Sequence, residues 1–155
     1  MIVENAQPKK LKLQILRNYF EIFLLQITRE YQGSATTQVK RKNLELTESF
    51  LALLENNFKE KKMVADYARQ LFITPNYLNE IVKKSTGFSA GQQIRQRITL
   101  EAKRHALFSR LSVKEVAYFL GFSDPCHFSK FFKNETGTNF TEFKEHSLAS
   151  VDDDR

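Results

Sequence analysis

Residues 112–137 read Ser112-Val-Lys-Glu-Val-Ala-Tyr-Phe-Leu-Gly-Phe-Ser-Asp-Pro-Cys-His-Phe-Ser-Lys-Phe-Phe-Lys-Asn-Glu-Thr-Gly137. Ser112 is a good helix cap, and Leu120-Gly121 is a helix stop. Pro125 suits the first turn of a second helix, which carries Phe128, Phe131 and Phe132 and stops at Thr136-Gly137. The stretch therefore predicts two short helices joined by a tight turn.

The same pattern occurs earlier in the chain. At an offset of 49, Val64, Ala68, Leu71 and Ile73 match Val113, Ala117, Leu120 and Phe122. At an offset of 50, Leu78, Val82, Lys83, Thr86 and Gly87 match Phe128, Phe132, Lys133, Thr136 and Gly137. The slip of one falls in the turn, where an extra residue does least harm. Each copy has the layout of a helix-turn-helix unit. Ala68 and Ala117 let the second helix cross closely. Leu71, Ile73, Leu120 and Phe122 plug the angle between the helices. The outer face of the second helix is then free to enter a major groove about 12 Å wide. Between the copies, Ser89–Phe108 predicts one long helix of roughly 30 Å, close to the repeat of about 34 Å of one turn of B-DNA.

The flanks are less regular. Lys9–Tyr31 predicts an amphipathic helix whose apolar row is Leu13, Leu16, Phe20, Phe23, Leu24 and Ile27. Ile15, Tyr19, Ile22 and Leu25 widen that row beyond what a solitary helix can hide. Its cover is the rest of the chain, a second copy or a further domain. Residues 32–43 are polar, with Gly33 just past the helix, and predict a flexible linker. Thr47 is the expected cap of a helix through Phe50, Leu54 and Phe58. A helix Met63–Leu71 follows, and a last short helix holds Phe140 and Phe143. The expected organisation is an N-terminal helix in 1–31, a linker in 32–43, a tandem DNA-binding domain in 44–146 and an acidic disordered tail in 147–155. The fold class is all-α: two helix-turn-helix subdomains on a linker helix, plus the N-terminal amphipathic helix. Only five Gly and three Pro accompany fourteen Phe, too few turn residues for a chain of many short strands.

The net charge is +6. It is spread as +4 over 1–45 (8 basic, 4 acidic) and +4 over 46–146 (15 basic, 11 acidic), against −2 in the last four residues. A basic surface of this kind suits a polyanion. Cys126 is the single cysteine, so no internal disulfide forms and no Cys-based metal site exists. The longest apolar run, Tyr19–Ile27, falls well short of the about 20 residues a membrane span needs. A soluble cytoplasmic protein with no cofactor and no membrane partner is expected. No nucleophile–base pair, phosphate loop or metal-spaced His/Cys set suggests an enzyme.

With its Val-Ala pair, Gly121-Phe122, Phe128-Ser-Lys-Phe-Phe-Lys133 and Gly137, the second unit resembles the AraC-type transcription regulators. Arg97 through Leu107 is similar to that family's linker helix, and the resemblance covers about residues 47–145. It departs in three places. Phe140 stands near the usual Ser-Pro, Phe72 stands where the turn usually has Gly, and Lys130 replaces an Arg. The resemblance implies control of transcription through promoter DNA. It also implies a sensor or dimerisation domain ahead of the two units. Residues 1–41 are too short for a full sensor, and Lys9–Tyr31 resembles the final helix of one. RNA polymerase, and a second copy through the N-terminal helix, are the further partners suggested.

The expected base-reading face of the first unit is Thr74, Pro75, Asn76, Asn79 and Glu80. Asn pairs bidentately with adenine and Glu accepts from cytosine N4. In the second unit the face is Pro125, Cys126, His127 and Lys130, with Lys130 aimed at guanine O6 and N7. Cys126 is read as an apolar contact rather than a redox sensor. His127 has no neighbouring ligand for a metal. Phosphate contacts are expected from Lys83, Lys84, Arg97, Ser123, Ser129 and Lys133. The competing function is a helical protein-interaction module that acts on the transcription machinery without reading DNA.

Overall fold

The computed structural model describes the backbone of residues 7–31 and 35–152, and the side chains of 12–27 and 37–146. The described residues form helices joined by short turns, with no strand among them. In chain order the helices are α1 (Gln7–Tyr31), α2 (Ala35–Asn57), α3 (Val64–Gln70), α4 (Pro75–Thr86), α5 (Ala90–Phe108), α6 (Val113–Phe119), α7 (Pro125–Thr136) and α8 (Phe140–Asp152). The chain divides into two compact units, residues 1–42 and 43–155.

The first unit contains α1. On its described part, Leu13, Leu16, Phe20, Phe23 and Ile27 are all exposed. The second unit holds one continuous core. Phe50 and Leu54 of α2, Tyr67 of α3, Leu78 and Val82 of α4, and Ile94 and Ile98 of α5 are buried together. Val116 of α6, Phe128 and Phe132 of α7 and Phe140 of α8 continue the same core. Helix α5 is its spine: α3, α4, α7 and α8 all pack on it. Its start is fixed by a capping box, in which the Ser89 hydroxyl accepts from the Gln92 amide while the Gln92 side chain accepts from the Ser89 amide. Ser112 and Glu115 repeat the device at α6, and these hydrogen bonds hold the Glu115 carboxyl below its ordinary pKa. At 1.5 Å per residue the 19 residues of α5 span about 28 Å.

Phenylalanine fills the second half of the core. Phe132 and Phe140 meet edge to face at 5.2 Å between centroids, and Phe128 meets Phe122 at 5.4 Å and Phe140 at 5.6 Å. Each such pair adds about 0.5–1.5 kcal/mol beyond area burial. Phe140 is core, so the place near the family's usual Pro is filled by packing.

Three expectations at the flanks need correction. The linker is helical from Ala35 onward, and Gly33 lies outside the described residues. Polar, propensity-neutral residues extend a helix whose later turns are anchored by Phe50 and Leu54. Thr47 is therefore not a cap. It sits inside α2, buried, and its hydroxyl donates to the Asn43 carbonyl at 2.8 Å. At the other end, α8 runs on to Asp152, so residues 147–152 continue a helix instead of a disordered tail. Asp153, Asp154 and Arg155 lie outside the described residues.

Candidate nucleic-acid interface

The two helix-turn-helix units agree down to single hydrogen bonds. The Ile73 amide donates to Ala68 O at 3.0 Å, and the Phe122 amide to Ala117 O at 2.9 Å. Both alanines are buried, so the paired helices cross without a side chain between them. The second helix of each unit begins with Pro at its first turn and ends on a left-handed glycine, Gly87 at φ 83° and Gly137 at φ 82°. Those glycine amides donate to Lys83 O and Lys133 O. Thr86 and Thr136 donate back to Val82 O and Phe132 O at 2.8 and 2.7 Å.

The units differ in the turn. Gly121 has φ 72°, and a Cβ there would lie 2.0 Å from Lys59 O. Its counterpart Phe72 has φ 55°, the only non-glycine residue of positive φ among the described residues, and is 94% exposed. A phenylalanine thus holds a left-handed conformation that costs about 1–2 kcal/mol for a residue with Cβ.

On the outer face of α4, Asn76, Glu80, Lys83 and Lys84 are exposed. Glu80 does not stand alone: Lys84 Nζ donates to Glu80 Oε1 at 2.6 Å. That bond lowers the Glu80 pKa and raises the Lys84 pKa. Glu80 thus carries its own counter-charge one turn away. The α7 face presents Cys126, His127, Lys130 and Lys133, all exposed. Lys130 and Lys133 have no acidic partner among the described residues. His127 Nε2 lies 4.0 Å from Asp124 Oδ2, a loose pair. Pro125 is half-buried at the first turn, Pro75 is exposed at its counterpart, and Ser123 is exposed in the turn ahead of α7.

Four expected contact residues have partners within the chain. Asn79 is half-buried, and its Oδ1 accepts from the Gly91 amide at 3.1 Å, tying α4 to the start of α5. That oxygen is one of the two atoms a bidentate adenine contact needs. Thr74 Oγ1 accepts from the Tyr77 amide as the cap of α4. Ser129 Oγ donates to Pro125 O one turn back, at 2.9 Å. Arg97 is the most fully engaged of them. Its Nε reaches both Glu55 carboxylate oxygens at 2.9 and 2.8 Å, its Nη1 reaches Glu101 at 2.9 Å, and it stacks 4.0 Å over Phe58. With its side chain only 16% exposed and two carboxylates on it, this guanidinium braces α2 against α5.

Two residues missing from the sequence reading matter locally. Asp124 caps α7 by accepting from the Cys126 amide at 2.8 Å; an Asp directly before Pro was the available signal. Tyr77 donates to Asn43 Oδ1 at 2.7 Å, a tie across 34 residues that spacing does not reveal. Among the described residues no group of His, Cys, Asp and Glu could hold a metal, and no helix is long and apolar enough to cross a membrane.

Residues 67–146 match a protein-family model described as a helix-turn-helix domain. The chain is 32% identical over 133 residues to the HTH-type transcriptional activator RhaS of Escherichia coli, across 85% of this chain and 45% of that protein. The chain thus spans about half the length of the curated relatives it matches. The DNA-binding domain of the global transcriptional factor AdpA, solved with a target DNA, superposes with TM-score 0.59 at 24% identity, over 68% of this chain and 94% of that one. A Chromobacterium violaceum transcriptional regulator, described as an AraC-type DNA-binding domain-containing protein, gives TM-score 0.56 at 19% identity, over 74% and 96%. At these identities the solved structures speak for a shared fold.

Proposed function

Because this chain belongs to the AraC-type helix-turn-helix family, we propose that it is a transcription regulator that binds double-stranded promoter DNA sequence-specifically. In this reading α4 and α7 enter successive major grooves on one face of the duplex. The observation that carries it is the duplicated unit: two second helices with matched caps, turns and buried alanines, both packed on one rigid α5 of about 28 Å. Base contacts fall to Asn76 in α4 and to Cys126, His127 and Lys130 in α7, with Pro75, Pro125 and the Thr74 hydroxyl lining the groove ends. Phosphates fall to Lys83, Lys133 and Ser123, with Lys84 tempered by Glu80.

The relatives' name supports activation as the direction of control; RNA polymerase is the protein partner proposed with it. Pairing with a second copy through the exposed apolar row of α1 belongs to the same proposal. The place of action is the bacterial cytoplasm, where promoter DNA is found.

Selection of bound duplexes from a random pool tests the reading. The expected result is two segments about 10 base pairs apart, bound with a steep dependence on salt. No enrichment at low salt would overturn it in favour of a protein-interaction module.

A further inference from the structure

Both helix-turn-helix units lean on α5, yet the space between them is not filled. A cleft of about 390 Å³ opens there, walled by Val64, Ile94, Ile98, Phe122 and Phe131. Apolar packing alone therefore leaves the two units room to hinge. What spans the cleft is polar. Lys62, in the loop that leads into α3, donates from Nζ to Lys59 O at 2.6 Å and to Gly121 O at 2.9 Å. Gly121 is the turn of the second unit. The same ammonium lies 4.9 Å from the Phe122 ring centroid, and Lys59 Nζ lies 3.7 Å from that of Phe119. Burial draws the Lys62 pKa below its usual value. A lysine is seldom placed this way unless its donors are satisfied, and here they are satisfied by carbonyls from opposite sides. Arg95 of α5 and Glu135 of α7 form a second, more exposed tie at 2.9 Å.

We propose that Lys62 is a positioning residue for two-segment reading: by holding Lys59 O and Gly121 O together, it pins the loop before the first unit to the turn of the second and so sets the interval between the two recognition helices. The proposal rests on the DNA-binding reading above. Lys62 touches no DNA in this scheme. Its effect is on which spacing of two half-sites is accepted.

Two measurements on the full chain separate the clamp from the reading. Cys126, the single cysteine, sits exposed on α7, and Asn76→Cys places a partner on α4. Spin labels at both report the distance distribution between recognition helices without DNA. Wild type is expected to give one narrow peak. Lys62→Met, which keeps the stem and loses the donors, broadens it, and Lys62→Arg restores it. A Lys62→Met distribution as narrow as wild type overturns the proposal. If Lys62→Met does not fold, Lys62→Gln takes its place: it stays polar but is too short to hold both Lys59 O and Gly121 O, so the peak is expected to widen, and an unchanged peak overturns the proposal.

The second measurement uses the tightest duplex from the random pool and the same duplex with one base pair inserted between its segments. With both cysteine positions unlabelled and native, wild type should lose roughly tenfold in affinity on insertion, the cost of about one defective base contact. Lys62→Met should lose less than about threefold on the same scale. If it broadens the distances but keeps the full tenfold penalty, the interval is set elsewhere and the proposal fails. A pool that yields no duplex overturns the DNA reading and the use proposed for the clamp, while the distance distribution still decides whether the clamp exists.

Discussion

Gly121→Ala should be among the most damaging small substitutions in this protein. Two costs meet at one atom. The φ of 72° is left-handed, which costs a residue with Cβ about 1–2 kcal/mol. The new methyl would also lie 2.0 Å from Lys59 O and 3.0 Å from Lys62 Nζ. That first distance is impossible, and the atom met is backbone, so the 59–62 loop must retreat. Its retreat breaks the Lys62–Gly121 hydrogen bond, whose donor is charged and which is worth about 1.5–3 kcal/mol. Against this, alanine gains about 0.4–1 kcal/mol by restricting the unfolded chain. The net loss is about 3 kcal/mol, which in a unit of this size lowers the melting temperature by roughly 10 °C or more. Phe72 supplies the control. It occupies the matching turn with positive φ but 94% exposure. Phe72→Gly should therefore stabilise by about 0.5–1 kcal/mol, and Phe72→Ala should stay within about 0.5 kcal/mol of wild type. Chemical denaturation with matched slopes measures all three. A Gly121→Ala loss of only about 1 kcal/mol, the backbone cost alone, would refute the reasoning, since the Lys59 carbonyl would then be free to move.

Other outcomes follow from the faces and the braces. Lys130→Ala is expected to weaken binding to a selected duplex by about 1–3 kcal/mol while leaving random DNA nearly unchanged; equal losses on both would make Lys130 a phosphate contact. Glu80→Ala releases Lys84 from its pair, so affinity for random duplex should rise and the salt dependence steepen by about one ion. Should target and random DNA rise by the same factor, Glu80 has no part in base preference. Arg97→Met should destabilise by about 2 kcal/mol, because it breaks the brace to Glu55 and leaves the half-buried Glu101 only its longer pairs with Arg104 and His105, yet leave the salt dependence of DNA binding unaltered. A shallower salt dependence would return Arg97 to the phosphates. Burial pushes the Glu101 carboxyl up, but Arg97, Arg104 and His105 outweigh it, and its pKa lies below the ordinary 4.5. A lowered carboxylate pKa adds stability above the unfolded value and loses it as pH falls through the folded one. The advantage of wild type over Glu101→Gln in melting temperature should thus be full near neutrality and shrink below pH 4.5. An advantage that persists in acid would mean that shape, not charge, makes Glu101 matter.

The tandem units were legible because their logic is local. Ala68 and Ala117, the plugs, Ser112 and the two closing glycines each do their work within a few residues, and spacing records such work directly. What escaped reading was the chemistry between elements. Arg97 has the composition of a phosphate contact, and only the fold reveals Glu55 42 residues away. Asn79 looks like a base reader until Gly91 arrives 12 residues later. The upstream part of α2 was hidden for a different reason: Thr37, Gln38, Lys40 and Lys42 carry no apolar periodicity, and a helix extended from an anchored end needs none. Lys62 looks like one basic residue in a basic loop, and nothing in its neighbours' identity marks the carbonyls it holds.

The mismatch between the two outer faces has a consequence for geometry on a chromosome. One face offers Asn76 and Lys83 beside a neutralised Glu80–Lys84 pair; the other offers Cys126, His127 and two unneutralised lysines. A symmetric dimer reads a palindrome and lies equally well in either direction. A single chain with unlike halves selects a target that has a head and a tail. Turning such a site end for end would turn the protein with it, so its orientation toward a start site would be written in the DNA itself.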